Sequence, residues 1–356
     1  MSLVELGWNA FFLEQFERHR QVGLAPARII REHRELYDVR GDGEELSARV
    51  SGKMRYNAGG RSDFPAVGDW VAIDPRVDEG QATIHALLPR KSAFSRKVAA
   101  SKTEEQVVAA NIDTVFLITS LDRDFNLRRL ERYLTVAWES GANPVILLNK
   151  ADLCADAGPF IDQVQSVAFG VPAYTISARL GQGLDHVLER LRPGMTAALL
   201  GSSGVGKTTL INTMLGSDSL RVGPVREDDG RGRHVTTWRE LILLPTGGVI
   251  IDTPGMRELQ LWADDRKVEE SFEDVTEIAA RCKFRDCGHK SEPGCAVRAA
   301  LEDGTLDPGR YRSFTKLMRE VAYLEARRDQ RERLRQIRRL KQISRRARQL
   351  RNFDDR

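Results

Sequence analysis

Residues 1–25 carry apolar side chains at Leu6, Ala10, Leu13 and Phe16, a spacing that predicts an amphipathic helix. From Pro26 to Lys97 the pattern changes to short alternating runs, Ala27–Val39, Leu46–Tyr56, Trp70–Asp74 and Ala82–Leu87. They are broken at Gly41-Asp42-Gly43, Asn57-Ala58-Gly59-Gly60 and Asp78-Glu79-Gly80. About five short strands over 26–100 predict a small β-barrel, and an OB-fold is the natural form for one of this size. Beyond Asn111 the rhythm is strand then helix: strands at Thr114–Thr119, Pro144–Leu148, Ala173–Ser177 and Met195–Leu200, helices at Leu127–Ser140, Pro159–Phe169, Leu184–Leu191 and Lys207–Leu215. A hairpin, Arg239–Leu244 with Val249–Ile251, closes the series. Such alternation builds a parallel sheet covered on both faces, here over 105–265. The remaining 266–356 end in a narrow apolar stripe, Leu317, Val321, Leu324, Leu334, Ile337, Leu340 and Ile343, which predicts a long helix. The fold class is therefore multidomain: a helical extension (1–25), a barrel (26–100), a central α/β domain and a C-terminal domain.

A length of 356 residues fits two or three domains at roughly 100–200 residues each. With 41% apolar and 30% charged residues, the composition is that of a soluble globular chain. No apolar run approaches the roughly 20 residues that a membrane-spanning helix needs, and residues 1–20 contain Glu5, Glu14 and Glu17 rather than a basic leader and apolar core. A cytoplasmic protein without a membrane partner is expected.

The net charge of +4 hides a division. Arg327–Arg351 hold twelve basic and two acidic residues, a net +10, while the other 331 residues, with 43 basic and 49 acidic side chains, carry −6. The tail is suited to a phosphate backbone. A solvated helix serving solubility is the plainer alternative; a membrane-surface helix is disfavoured because the stripe lacks Trp. Lys53, Arg55, Tyr56 and Arg61 of the barrel would suit an oligonucleotide face, or be ordinary solvated residues.

Gly201-Ser202-Ser203-Gly204-Val205-Gly206-Lys207-Thr208, followed by Thr209, matches Gly-x4-Gly-Lys-[Ser/Thr] between a predicted strand and a predicted helix. The glycines let backbone amides close around phosphates at a helix N-terminus. Lys207 would meet the β- and γ-phosphates and Thr208 would ligate Mg²⁺. Asn149-Lys150-Ala151-Asp152 selects the base, because a carboxylate can accept from the N1–H and the exocyclic amine of guanine but not from adenine. Asn149 would meet the opposite base edge, Lys150 would lay its stem along the ring, and Ser177-Ala178 would donate to guanine O6. Equal affinity for ATP would instead indicate a P-loop kinase or ATPase.

Asp252-Thr253-Pro254-Gly255 follows about 45 residues later, with Asp252 placed to hold Mg²⁺ through water and Gly255 to sense the γ-phosphate. The switch threonine is Thr237 or its neighbour Thr236, in Gly-Arg-His-Val-Thr-Thr. The base motifs precede the phosphate motifs, the reverse of the common order, which is a circular permutation. Met256 stands where a water-positioning Gln is usual; His234 is the substitute candidate, with an RNA or partner contact as its rival role. Cys282, Cys287, His289 and Cys295 offer three thiolates and an imidazole, a closed set for one Zn²⁺ per chain. Reduced structural cysteines are the alternative, and Cys154 stands apart.

Barrel, permuted motifs and Cys/His cluster together resemble the bacterial ribosome small subunit-dependent GTPase A family, over nearly the whole chain. The resemblance implies a GTP-binding, Mg²⁺-dependent hydrolase acting late in small-subunit maturation and stimulated by that subunit and its rRNA, with an OB-fold before and a zinc domain after the GTPase domain. It also points to His234. Val235 departs from the family's triple Thr. A monomer is expected. A second hypothesis is a GTP-responsive RNA-binding assembly chaperone with little intrinsic hydrolysis.

Overall fold

A computed structural model describes residues 2–33, 35–97, 105–217, 239–252, 265–319 and 321–322. The chain forms two compact units, one holding the described residues up to Asp252 and the other those from Asp265 onward. His234, Thr236, Thr237, Gly255, Met256 and the tail 327–351 lie outside the described residues. No described helix is long and apolar enough to cross a membrane.

The first unit opens with α1 (Ala10–Arg20), capped by Asn9, whose side chain accepts from the Phe11 amide. Five strands follow: β1 (Ala25–Glu32), β2 (Tyr37–Arg40), β3 (Glu45–Val50), then, after α2 (Gly52–Asn57), β4 (Trp70–Arg76) and β5 (Gln81–Leu87). Their order is β1-β2-β3-β5-β4, with β4 pairing back to β1 and β3 parallel to β5, so the barrel closes. This is the OB-fold that the alternating runs predict. Closure removes the open edges that a five-stranded sheet would otherwise expose.

Two local readings differ from the sequence expectation. The run Leu46–Tyr56 is a strand only to Val50, because the Ser51 hydroxyl accepts from the Met54 amide and starts α2. On α1 the buried side chains are Phe12 and Phe16, while Ala10 and Leu13 face solvent. The reason lies in β4. Val71 and Ile73 point into the barrel, and the alternate residues Trp70 and Ala72 pack outward against Leu6, Phe12 and Phe16. Both faces of β4 are thus buried, and Trp8 meets Trp70 edge-on at 4.7 Å between ring centroids. Leu6, Phe12 and Phe16 thus form an outer layer on the barrel wall.

After the barrel, β6 (Ala93–Lys97) and β7 (Glu105–Ala110) form a separate antiparallel ribbon that the sequence reading did not anticipate. The α/β part then runs β8 (Thr114–Ser120), α3 (Leu127–Ser140), β9 (Asn143–Asn149), α4 (Gly158–Gln165), β10 (Ala173–Thr175), α5 (Asp185–Leu188), β11 (Thr196–Gly201), α6 (Lys207–Leu215), β12 (Arg239–Leu243) and β13 (Val249–Asp252). Its strand order is β10-β9-β8-β11-β13-β12, parallel except for β12. Every residue of β8 and β11 is buried, as central strands covered on both faces require.

Strand β12 continues into the barrel by pairing with β1, Arg31 opposite Glu240 and Glu32 opposite Arg239. Both pairs carry ion pairs, Arg31–Glu240 at 3.1 Å and Arg239–Glu32 at 2.8 Å. Nearby, the Arg28 guanidinium is 1% exposed and donates to the carbonyls of Leu6, Gly68 (3.2 Å) and Asn111 (3.2 Å). Burial lowers its pKa to about 10, with Asp113 and Asp69 opposing the shift. One side chain therefore joins the N-terminal segment, the barrel and the start of the α/β part.

In the second unit, α7 (Asp265–Ser271) and α8 (Glu273–Ala279) precede the cysteine-rich loop, α9 (Ala296–Glu302) and a helix over 308–319. Arg310 holds Asp274 through two bonds of 2.6 Å and lies 4.5 Å from the Phe272 ring centroid.

Arg28→Met keeps an unbranched apolar stem and removes the guanidinium donors. A loss of about 3 kcal/mol is expected from the carbonyls left unpaired; an unchanged urea midpoint would show that Arg28 does not hold the junction.

Candidate functional site

The predicted phosphate loop lies between central strand β11 and α6. Gly201 is fixed by contact, since a Cβ there would stand 2.6 Å from the Ile118 carbonyl oxygen. Gly206 is fixed twice over, with φ +102° and an amide nitrogen of Asn149 where a Cβ would go. Helix α6 starts at Gly206 without a side-chain cap, which leaves its first amides for an anion. The Lys207 ammonium folds back across the loop to the carbonyls of Gly201 (2.8 Å) and Ser202 (2.6 Å). Thr208 and Thr209 occupy the first turn of α6.

The base motifs reach the same end of the sheet because β8, β9 and β11 run parallel. Asn149 ends β9 and is 2% exposed. Its Nδ2 donates to the Val205 carbonyl at 2.8 Å, and its Oδ1 accepts from the Ala178 amide at 2.9 Å. The two partners fix the amide's orientation and tie the phosphate loop to the Ser177-Ala178 loop. Lys150 adopts φ +65°, unusual for a residue with a Cβ, and turns the chain toward Asp152. Asp152 is exposed, and its Oδ1 accepts from the Ser177 hydroxyl at 2.6 Å. That bond holds a carboxylate beside backbone donors, an arrangement that can read the donor edge and O6 of guanine together.

Two residues in this cluster were not singled out from the sequence. Asp122, just beyond β8, binds the Lys150 ammonium at 2.8 Å. Burial works against its charge, but hydrogen bonds from Lys150 and Ser120 hold its carboxyl below the usual range. Asp124 accepts from the Ser202 hydroxyl in the phosphate loop and pairs with Arg129 at 2.9 Å. The signal was Asp122-Arg123-Asp124 at the end of an apolar strand neighbouring β11, a third strand end on the same edge.

Asp252 ends β13, the other neighbour of β11. Burial pushes its carboxyl up to about 6; Lys207 pulls it down and Glu240 adds to the rise.

In the second unit the ligand atoms of Cys282, Cys287, His289 and Cys295 all lie within 4.8 Å of one another. Cys282 and Cys295 sulfurs are 3.9 Å apart, and they stand 3.6 and 3.5 Å from His289 Nδ1. Tetrahedral zinc with bonds of about 2.3 Å to sulfur and 2.0–2.1 Å to nitrogen gives edges of about 3.8 and 3.6 Å, so the set fits that ion. The Cys287 thiol receives a hydrogen bond from the His289 backbone, yet burial and the neighbouring Cys295 and Cys282 push it up to about 11. Glu292 braces the turn, accepting from the amides of Gly288 (3.0 Å), Lys290 (2.7 Å) and Ser291 (2.9 Å). Those bonds and its own amide lower its carboxyl to about 2.

Comparison with known proteins places these sites in context. Residues 87–262 match the family model described as RsgA GTPase. The small ribosomal subunit biogenesis GTPase RsgA of Opitutus terrae is 48% identical over 341 residues, 92% of each chain. A second relative, small ribosomal subunit biogenesis GTPase RsgA 2 of Lactiplantibacillus plantarum, is 50% identical over 309 residues, 87% of each. Among solved structures, YjeQ from Thermotoga maritima superposes with a TM-score of 0.61 at 24% identity, covering 84% of this chain and 99% of that one. YloQ, described as a circularly permuted GTPase, gives 0.58 at 24%, with 84% and 95% covered. At that identity the two structures bear on the fold.

Asn149→Ala removes both bonds of the bridge at once. Affinity for a fluorescent guanine nucleotide should fall by about 10²-fold, two buried bonds at roughly 1.4 kcal/mol each; wild-type affinity in a folded variant would refute the bridging role.

Proposed function

The chain belongs to the RsgA GTPase family, and from that premise we propose that it is a GTP hydrolase that binds the small ribosomal subunit, acts late in its maturation and is stimulated by it. The observation that carries the nucleotide assignment is the Asn149 bridge, which sets the phosphate loop and both base loops in one rigid arrangement. In this reading Gly201–Gly206 and Thr209 wrap the phosphates, Lys207 leaves its two carbonyls for the β- and γ-phosphates, and Asp152 accepts from guanine N1 and its amine. Ala178 and Ser177 cover O6, Lys150 lies along the ring with its ammonium held by Asp122, and Asn149 contacts the opposite base edge.

Thr208 and Asp252 are suited to Mg²⁺, which when bound neutralises charge between the β- and γ-phosphates. His234 orients the attacking water in place of the side chain missing at Met256, while Thr237 and Gly255 respond to the γ-phosphate. Cys282, Cys287, His289 and Cys295 hold one structural zinc. The barrel and the basic tail contact rRNA, and the protein works as a cytoplasmic monomer. The domain limits 1–25, 26–100, 105–265 and 266–356 follow the same reading.

Met256 favours one alternative, an RNA-binding assembly chaperone in which GTP is a ligand and turnover is incidental. Steady-state GTP turnover with and without purified small subunits, at two salt concentrations, separates the two; stimulation supports the hydrolase, and none at either salt favours the chaperone. In the same assay Asp152→Asn should lower kcat/KM for GTP by about 10²-fold or more and raise it for XTP. Xanthine carries a carbonyl where guanine has its amine, so the new amide donor finds an acceptor. Unaltered preference for GTP would remove Asp152 from base recognition.

Elemental analysis should find one zinc per chain, and Cys282→Ser should lose it. A folded wild-type chain without metal would rule out the zinc centre.

A further inference from the structure

Between the barrel and β7 lies a cavity of about 230 Å³ lined by no residue of the nucleotide loops. Its lining includes Tyr37 of β2, Phe64 and Val107, together with Arg55 and Arg61 from the segment joining β3 to β4. Tyr37 is 8% exposed, with its ring in the barrel core. Its hydroxyl has no hydrogen-bond partner among the described residues, and it is not among the polar atoms sealed from solvent. What exposure it keeps is therefore toward the cavity that it lines. Burial, helped by the Glu32 and Asp69 carboxylates, keeps this phenol protonated, so it is a donor at neutral pH.

The charge around the cavity favours an anion outside and a neutral group within. Arg55 and Arg61 are exposed and have no ion-pair partner among the described residues. The Glu32 carboxylate is taken by Arg239 at 2.8 Å, which leaves Glu35 as the opposing lining charge. The volume is below the roughly 300–1,000 Å³ of pockets that enclose a drug-sized ligand. One aromatic ring system fits; a whole nucleotide does not.

We propose that this cavity takes a single unstacked base of a single-stranded RNA segment. The Tyr37 hydroxyl donates to the base edge, Phe64 packs against the base, and Arg55 and Arg61 meet the flanking phosphates. The inference rests on the reading of the barrel as an RNA-binding module.

The test uses the full chain with its nucleotide site saturated by a non-hydrolysable GTP analogue. Fluorescence anisotropy measures binding of labelled ten-nucleotide strands of A, C or U, and of an abasic ribose-phosphate strand of equal length, over a range of salt. At least one base-bearing strand should bind about tenfold tighter than the abasic strand. On that strand Tyr37→Phe should cost roughly three- to tenfold, with no change on the abasic strand, in the salt slope or in the thermal midpoint. Arg61→Gln should instead reduce the salt slope by about 1 on both strands. Equal binding of abasic and base-bearing strands, or a Tyr37→Phe protein identical to wild type on every strand, overturns the base pocket while leaving RNA binding intact. Displacement of the strands by a free nucleoside monophosphate at equal concentration overturns the RNA source in favour of a small-molecule site. Failure of every strand to bind at low salt overturns the RNA-binding reading itself.

Discussion

The parallel pairing of β11 between β8 and β13 is the constraint on which the α/β part depends. It sets Gly201 beside Ile118 and Ala198 beside Ile251, so the chain leaves three neighbouring strands on one edge. Those exits are Asp122 and Asp124 after β8, the phosphate loop after β11 and Asp252 at the end of β13. With β9 paired to β8, Asn149 joins them from the fourth strand. Sequence order is immaterial to this result, because adjacency in a sheet is set by register rather than by connection. A permuted chain therefore assembles the same edge, and Asn149 then fastens base loop to phosphate loop with one amide.

The antiparallel edge of the same sheet has a different task. Strand β12 would expose an unpaired ladder, but β1 of the barrel covers it with two residue pairs and two ion pairs. Arg239 and Glu240 are also the first described residues after the segment expected to carry the switch threonine. Arg31 and Glu32 of the barrel thus meet the chain at the end of that segment, while Arg28 of the same strand binds the carbonyls of Leu6, Gly68 and Asn111. Barrel and sheet share a strand ladder as well as a linker.

The α/β part was legible because its signals are redundant: buried parallel strands read as unbroken apolar runs, and helix α3 ends where predicted, between an Asn126 cap and Gly141 at φ +83°. The barrel was legible as a class but not in detail. One residue, Ser51, converts the end of a predicted strand into α2, and the second buried face of β4 overrides the spacing that picked Ala10 and Leu13 on α1. At the site, motif residues announce themselves through glycines and fixed spacing. Asp122 and Asp124 belong to no motif, and their place follows only once β8 is known to adjoin β11.

Three aspartates, Asp122, Asp124 and Asp252, flank the phosphate loop, and two of them are matched to a cation. Lys150 takes Asp122 and Arg129 takes Asp124, so those two charges are spent on positioning. Asp252 differs: its carboxyl stands near 6 against an ordinary 3.8, because Lys207 offsets only part of its burial. A carboxyl raised in the folded state gives up its proton more easily in the unfolded chain, so it costs stability as pH rises above 3.8, reaching a plateau above 6. At 1.36 kcal/mol per unit that plateau is about 3 kcal/mol. Lys207 at the start of α6 is thus the cation that acts on Asp252, at the strand end from which residues 253–255 depart.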